Sequence, residues 1–181
     1  MERPIFQPVG TPVEQLDTPA LVLDLDVMER NIHIFQGYFT DRAAKARPVV
    51  TSHLCPQIAR RQLAVGGTNG GIAVTTLGEA EVFANAGFAD ILLANEVVTV
   101  SKIRRLCALA GQTSIGIAVD NPDNARQLSS GAVEMGVELR VLIEIEAGMG
   151  RCGISPGVEA IKLAEKVSAL PGLKLEGIMG S

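Results

Sequence analysis

Apolar and polar positions along the chain alternate between two periodicities from residue 47 onward. Short runs of β-branched and apolar residues, such as Ile115–Val119, are followed by segments with helical spacing, such as Pro122–Met135. Apolar runs of this kind are typical of strands that are covered on both faces. One helix between successive strands implies parallel pairing with right-handed crossovers. The pattern therefore predicts an α/β fold.

Strands and helices can be placed along most of the chain from this pattern. Six strands are predicted at Pro48–Ser52, Gly71–Thr75, Asp90–Ala94, Ser114–Val119, Leu139–Glu146 and Leu173–Met179. The helices between them are predicted at Pro56–Val65, Leu77–Ala86, Val100–Ala110, Pro122–Met135 and Pro156–Ala169. An earlier strand at Ala20–Leu25 is followed by a predicted helix over Val27–Phe39, with Asp26 as its N-cap. Residues 1–18 are rich in proline, so we expect an irregular leader there.

The choice between an open sheet and a barrel depends on the glycine pattern and the length. No GxGxxG motif follows the first strand, which disfavours a nucleotide-binding open sheet. A (β/α)₈ TIM barrel fits the alternation better, but such barrels usually need about 250 residues. The chain has 181 residues. We therefore predict a partial barrel of about six strands, with residues 19–181 forming one incomplete domain.

The composition argues against several classes of partner and site. The net charge is −4 and there is no basic run, which argues against a nucleic-acid partner. No apolar stretch reaches the roughly 18–20 residues of a membrane span. The three cysteines, Cys55, Cys107 and Cys152, include no CxxC pair. A disulfide framework or structural zinc site is therefore disfavoured, and a cytoplasmic location with reduced thiols is expected.

Polar residues collect at the predicted carboxyl ends of the strands, where barrels usually carry their sites. Thr51, Ser52 and His53 stand at the end of the first strand. Adjacent residues on a strand point to opposite faces, so a Ser52–His53 nucleophile–base pair is disfavoured. Thr76 and Glu79 have the spacing of a helix capping box, which we favour over catalysis. Asp120 is likewise expected to cap the helix that follows it.

The glycine-rich segment Gly148–Gly153 follows the fifth predicted strand. Its three glycines would let the backbone approach a ligand closely, and Arg151 supplies a rigid fork of donors. This arrangement suits a phosphate, carboxylate or phenolate group. An ordinary glycine-rich turn with a surface arginine explains the residues equally well, and both interpretations stay open on the residues alone.

Several motifs in order resemble those of the D-threonine aldolase and D-serine dehydratase family. They are Asp17–Asp26, Arg47-Pro48, Ser52-His53, Thr76–Glu81, Ile91–Val98 and Gly148–Gly153. The resemblance implies an alanine-racemase-type barrel of fold type III, pyridoxal phosphate as cofactor, and a lyase acting on small D-3-hydroxy amino acids. It implies that Arg151 faces the phenolic oxygen of the cofactor and that Asn95 belongs to the cofactor site.

The same resemblance implies parts of the fold that this chain lacks. The family has a C-terminal β-domain that carries the ligands of a divalent metal, and the Ala20–Leu25 strand would belong to that domain. We therefore expect a truncated chain without those metal ligands.

The chain departs from the family at the residue that holds the cofactor. The first barrel strand of the family reads Arg-Pro-His-x-Lys-Thr-His-Lys, and its first lysine forms the Schiff base. Thr51 stands at that position here, with Val49 and Leu54 at two further departures, whereas His53 is retained as a candidate catalytic residue. A hydroxyl cannot form an imine, so covalent cofactor chemistry at this position is excluded.

Three functional hypotheses follow from these residues. The first is an aldolase- or dehydratase-like lyase whose activity is impaired by the Thr51 substitution. The second is a non-catalytic truncated homologue that binds a partner or forms a homo-oligomer, because an unclosed barrel leaves sheet edges to be covered. The third, less favoured, is a cofactor-free reaction at Thr51, Ser52 and His53.

Overall fold

A computed structural model of the chain describes residues 7–180, and part of the predicted leader lies outside this range. The helices are α1 (Leu25–Gly37), α2 (Pro56–Ala64), α3 (Leu77–Asn85), α4 (Val100–Ala110), α5 (Pro122–Met135) and α6 (Val158–Ala169). The strands are β1 (Ile72–Val74), β2 (Asp90–Leu93), β3 (Ser114–Val119), β4 (Leu139–Ile145) and β5 (Leu173–Gly180). Single 3₁₀ turns lie at Val13–Gln15 and Val50–Ser52.

The five strands form one parallel sheet in sequence order from β1 to β5. Each pair is joined through one helix, and the register is regular except for a shift between Val141 and Leu142 opposite β5. This is the α/β partial barrel that the sequence predicts. Because all strands are parallel, their carboxyl ends lie at one edge of the sheet, and the candidate site residues are carried there.

The core lies between the sheet and its helices. Ile91, Ile117 and Leu128 are fully buried, as are most apolar residues of the central strands. Phe83 of α3 and Phe88 pack edge to face with ring centroids 5.3 Å apart. Burial on both sides of the central strands explains why their sequences are continuously apolar.

A group of charged residues ties the strands together at the opposite, amino edge of the sheet. Asp90 at the start of β2 accepts hydrogen bonds from Arg47 and from Arg140 of β4. Arg140 also pairs with Glu176 of β5 at 3.2 Å. The group connects the segment before β1 to the last strand, so it stabilises the arrangement of strands across the sheet.

Hydrogen bonds in the first turns of α3 and α5 show which residue caps each helix. Thr76 accepts from the Glu79 N–H, and the Glu79 carboxylate accepts from the Thr76 N–H in return, so the predicted capping box is confirmed. Asp120 is not the cap of α5, because the neighbouring Asn121 accepts from the N–H groups of Asp123 and Asn124 instead. Asp120 is thereby left for a contact at the candidate site.

The predicted strand at Pro48–Ser52 is wrong. The segment meets β1 through a single isolated parallel bridge, Val49 with Ala73, and a second bridge joins Ala46 to Thr68, before β1 begins. The chain then turns into the 3₁₀ turn, and Leu54 adopts a positive φ of 52° while its N–H bonds back to the Val50 carbonyl. Pro48 has no N–H to donate to a ladder, and the turn uses the remaining donors locally.

The predicted strand at Ala20–Leu25 is also wrong. Within residues 7–180, residues 20–24 pair with no other strand, and Leu25 already belongs to α1. The N-cap is Asp24 rather than Asp26, because its carboxylate accepts from the Val27 N–H at 3.0 Å. Across the described range, every helix is too short or too polar to span a membrane.

Candidate functional site

Thr51 lies at the carboxyl edge of the sheet, in a cluster with Thr75 and Glu79. Its hydroxyl donates to Glu79 Oε2 at 2.8 Å and lies 3.3 Å from the Thr75 hydroxyl. Glu79 Oε2 also accepts from the Thr75 N–H at 2.9 Å. Burial opposes ionisation of Glu79, but the N–H of Thr75 and the Thr51 hydroxyl outweigh it, and the pKa of Glu79 is lowered. The Thr51 hydroxyl is therefore held as the donor to a carboxylate.

His53 faces α2 rather than this cluster. Its Nδ1 accepts from the Cys55 N–H at 3.1 Å, so in this arrangement the proton is on Nε2, which lies 3.2 Å from Gln62 Oε1. The two ring nitrogens thus contact the N-cap residue of α2 and a residue of its last turn. His53 and Thr51 are two residues apart in the chain, yet no hydrogen bond joins them within the described range.

Asn95 follows β2 and lies beside the Thr51 cluster. Its side-chain amide donates to the Thr75 carbonyl at 3.1 Å, and its Oδ1 accepts from the Glu96 N–H. Asn95 and Thr75 line a small cavity of about 160 Å³ that Lys102 of α4 also lines. Thr51 and Asn95 therefore both contact Thr75, and Lys102 is the lysine that lines the adjacent cavity.

In the glycine-rich loop after β4, the side chain of Glu146 binds the backbone of the loop itself. Glu146 Oε1 accepts from the N–H groups of Gly148 at 2.7 Å and Gly150 at 2.9 Å. These hydrogen bonds lower the pKa of Glu146. The N–H groups that could have faced an anionic ligand thus already bind a carboxylate.

Gly153 ends this loop at a position that excludes a side chain. Its φ is +101°, and a Cβ there would lie 2.5 Å from the Glu146 nitrogen. Its N–H donates to Asp120 Oδ2 at 3.0 Å. The loop is therefore fixed against the end of β3 as well as against β4.

A second polar cluster joins the ends of β2 and β4 to this loop. Glu96, Glu144 and Cys152 each place one ligand-type atom within 4.8 Å of the other two. Cys152 Sγ donates to Glu144 Oε1 at 3.1 Å. Burial, followed by the contact with Glu144, raises the pKa of Glu96 to about 7. Arg151 lies beside this cluster. The pKa of Arg151 is raised, first by its contact with Cys152 and then by the charges of Glu144 and Glu96.

The candidate residues therefore divide between two clusters. Thr51 and Asn95 meet at Thr75, whereas Arg151 belongs with Glu144 and Cys152, and His53 supports α2. The carboxylates of Glu79 and Glu146 have roles that the sequence reasoning missed, except that Glu79 was placed in its capping box. The sequence signal of Glu79 is its spacing from Thr76, and that of Glu146 is its position just after a strand.

The lysines show whether a cofactor could be held covalently at this edge of the sheet. Lys45 Nζ donates to the carbonyls of Phe39 and Thr40. Lys162 and Lys174 pair with Glu159 and Glu176 on outer surfaces. Lys166 lies in α6, and Lys102 reaches only the cavity shared with Asn95. In residues 7–180 no lysine stands at the carboxyl end of a strand, so the residues present do not fit pyridoxal phosphate held as an imine.

Comparison with known proteins gives consistent matches over nearly the whole chain. Residues 23–180 match the family model described as alanine racemase, N-terminal domain. The chain is 39% identical to the D-threonine aldolase of Arthrobacter sp over 175 residues, which is 97% of this chain and 45% of that protein. It is 34% identical to the 3-hydroxy-D-aspartate aldolase of Paracoccus denitrificans over 93% of this chain and 44% of the relative.

Solved structures give the same result. The D-threonine aldolase from Filomicrobium marinum superposes with a TM-score of 0.86 at 39% identity, covering 90% of this chain and 43% of that one. The D-threo-3-hydroxyaspartate dehydratase from Delftia sp. HT23 has a TM-score of 0.80 at 31% identity, with coverages of 92% and 44%. The chain spans less than half the length of the curated relatives it matches.

Proposed function

The chain belongs to the alanine racemase N-terminal-domain family, and on that premise we propose that it is a D-3-hydroxy-amino-acid lyase barrel that has lost its lysine-dependent step. The relatives named D-threonine aldolase, 3-hydroxy-D-aspartate aldolase and D-threo-3-hydroxyaspartate dehydratase support the substrate class, a small D-amino acid with a 3-hydroxyl. Pyridoxal phosphate is the cofactor that the family resemblance implies.

One observation carries this proposal: the Thr51 hydroxyl stands at the carboxyl edge of the sheet and donates to Glu79. A hydroxyl cannot condense with an aldehyde to give an imine, and the hydrogen bond keeps it as a donor to a carboxylate. Two other residues that the resemblance assigns to the cofactor site are present at the same edge of the sheet: Asn95 donates to the Thr75 carbonyl, and Arg151 lies in the glycine-rich loop after β4. These residues support an inherited site that lacks its amine.

Turnover of D-threonine tests the proposal. We expect the chain with added pyridoxal phosphate to release acetaldehyde from D-threonine no faster than the cofactor alone, because no lysine positions it at the strand ends. The control is the same assay with L-threonine, which reports the uncatalysed background. Release from D-threonine well above that background, and abolished by heating the protein, would contradict the proposal.

A second candidate function, as a self-associating module, is favoured by the open edge of β5. Within the described range β5 pairs only with β4, although it is eight residues long. Ile178 on this strand is 73% exposed. A long unpaired edge is a ready site for pairing with another strand. A second copy of this chain would cover it.

Light scattering after size exclusion tests this second candidate. We expect a dimer at micromolar concentration, and Ile178→Lys should shift it toward monomer by placing an exposed charge on the edge strand. A monomer at all concentrations for the wild-type chain would count against self-association.

A further inference from the structure

Glu96, Glu144 and Cys152 bring three potential metal ligands together from separate parts of the chain. Glu96 follows β2, Glu144 lies near the end of β4, and Cys152 belongs to the loop after it. One oxygen or sulfur atom from each lies within 4.8 Å of the other two. Ligands of a tetrahedral zinc ion are about 3.5 Å apart, given metal–ligand distances of roughly 2.0–2.3 Å. Small side-chain rotations would therefore close the set around one ion.

An independent observation shows that the cluster is unsatisfied. Glu144 is only 3% exposed, yet its Oε2 has no hydrogen-bond partner among the described residues. Glu96 Oε1 is also buried without a donor among the described residues, and its contact with the Glu144 carboxyl joins two acceptors unless one of them holds a proton. A buried carboxylate oxygen without a partner is costly and is normally paired with a donor, a proton or a metal.

We propose that Glu96, Glu144 and Cys152 bind a Zn²⁺ ion. A thiolate with two carboxylates suits zinc, which accepts both sulfur and oxygen ligands, better than it suits magnesium or calcium. Three protein ligands leave a fourth position open to water or to an oxygen of a small molecule. The site is thus of the open type rather than a closed structural one.

The charges around the cluster favour a divalent cation. When the three ligands are ionised, the cluster carries three negative charges, and Arg151 adds one positive charge beside Cys152. Asp120 is close enough to act on Glu96 electrostatically. Zinc binding displaces the thiol proton of Cys152 and any proton held between the two carboxyl groups, so a shared proton is the competing occupant.

The proposed site differs from the metal site that the family resemblance implies. That metal lies on a C-terminal β-domain, whereas these three ligands lie in the barrel itself. The inference does not depend on the proposed function, because zinc binding can be measured on this chain in the absence of any substrate or of pyridoxal phosphate.

A zinc titration against a chelating indicator tests the site directly. After treatment with EDTA, the wild-type chain should take up one equivalent of zinc. Cys152→Ser and Glu96→Gln should each weaken binding by about tenfold or more, because each removes an anionic ligand. Glu165→Gln, on the exposed surface of α6, is the matched control and should bind as the wild type does. Wild-type affinity no higher than that of Cys152→Ser would overturn the proposal.

Thiol protection gives a second measurement that needs no variant. Zinc should slow alkylation of Cys152 by iodoacetamide by about tenfold or more, because the thiolate becomes a ligand. Cys55 has a comparable partial exposure and lies outside the cluster, so its rate should not change. Equal protection of both thiols, which indicates unspecific zinc binding, or protection of neither would overturn the proposal.

Discussion

Thr51 Oγ1 donates a hydrogen bond to Glu79 Oε2 at 2.8 Å. This bond connects the 3₁₀ turn Val50–Ser52 to the first turn of α3. The bond joins residues 28 positions apart in the chain. It also fixes the chemistry of position 51, because the hydroxyl of Thr51 is engaged as a donor. The consequences of this contact can be measured separately from any activity.

Removing the Thr51 hydroxyl should destabilise the fold modestly. Thr51→Val keeps the shape but deletes the donor, and we expect a loss of about 0.5–1.5 kcal/mol in the free energy of unfolding. The pKa of Glu79 should rise, since one of the hydrogen bonds that lower it is gone. Chemical denaturation and NMR titration of the Glu79 carboxyl measure the two effects.

Ser52→Ala is the matched control for that substitution. The Ser52 hydroxyl donates only to the Val49 carbonyl within its own turn and is exposed. We expect a much smaller change in stability and no change in the Glu79 titration. If Thr51→Val left both quantities at wild-type values, the hydrogen bond would have no energetic role.

Neutralising Asp90 should weaken the amino edge of the sheet. Asp90→Asn leaves Arg47 and Arg140, whose side chains are 21% and 18% exposed, without their carboxylate. Because these side chains are partly exposed, we expect the free energy of unfolding to fall by about 1–3 kcal/mol, between the values for surface and buried ion pairs. Glu81→Gln removes the partner of the more exposed Arg105 and should cost less than about 1 kcal/mol in the same denaturation experiment.

Asp90 also predicts a pH dependence at the acidic end. Burial opposes its ionisation, but the hydrogen bonds and charges of Arg47 and Arg140 outweigh burial and lower its pKa below 3.8. Its contribution to stability is therefore present above pH 3.8 and is lost as the pH falls through the lowered value. Acid unfolding of Asp90→Asn should lack this component, and an unchanged acid profile would contradict the assignment.

The raised pKa of Glu96 predicts the opposite pH dependence of stability. Its pKa is raised from 4.5 to about 7, first by burial and then by the neighbouring Glu144. A raised pKa in the folded state stabilises the fold below pH 4.5, and this contribution is lost as the pH rises through about 7. In EDTA, unfolding free energies on either side of pH 7 should show this decline in the wild type and not in Glu96→Gln. A flat wild-type profile would exclude the shared proton.

The sequence predicted those parts of the fold that depend on local periodicity. Val100–Ala110, Ser114–Val119 and Pro122–Met135 have the predicted limits, because apolar spacing and capping side chains determine them locally. Pro48–Ser52 has the composition of a strand but turns, because its hydrogen bonds depend on how the chain meets β1. The helix α1 begins two residues earlier than expected because Asp24, not Asp26, reaches the Val27 N–H.

The site was predicted less completely, for a physical reason. The family resemblance assigns Thr51, Asn95 and Arg151 to the cofactor site, and the structure places the first two in contact with Thr75. Which side chains meet across loops depends on backbone geometry that has no periodic signal. Glu146 bonding to its own glycine loop is such a contact. The roles of Thr51, His53, Asn95 and Arg151 in a reaction, and self-association, stay predictions.

The central claim is that no amine of this chain holds pyridoxal phosphate at the carboxyl edge of the sheet, and trapping tests it most directly. The chain is incubated with the cofactor, reduced with borohydride, and its lysines are examined by peptide mass. In the wild type we predict that Lys102 is labelled no more than the helical Lys166, and that Thr51→Lys is labelled at position 51. Stoichiometric labelling of a single wild-type lysine, Lys102 above all, would contradict the account.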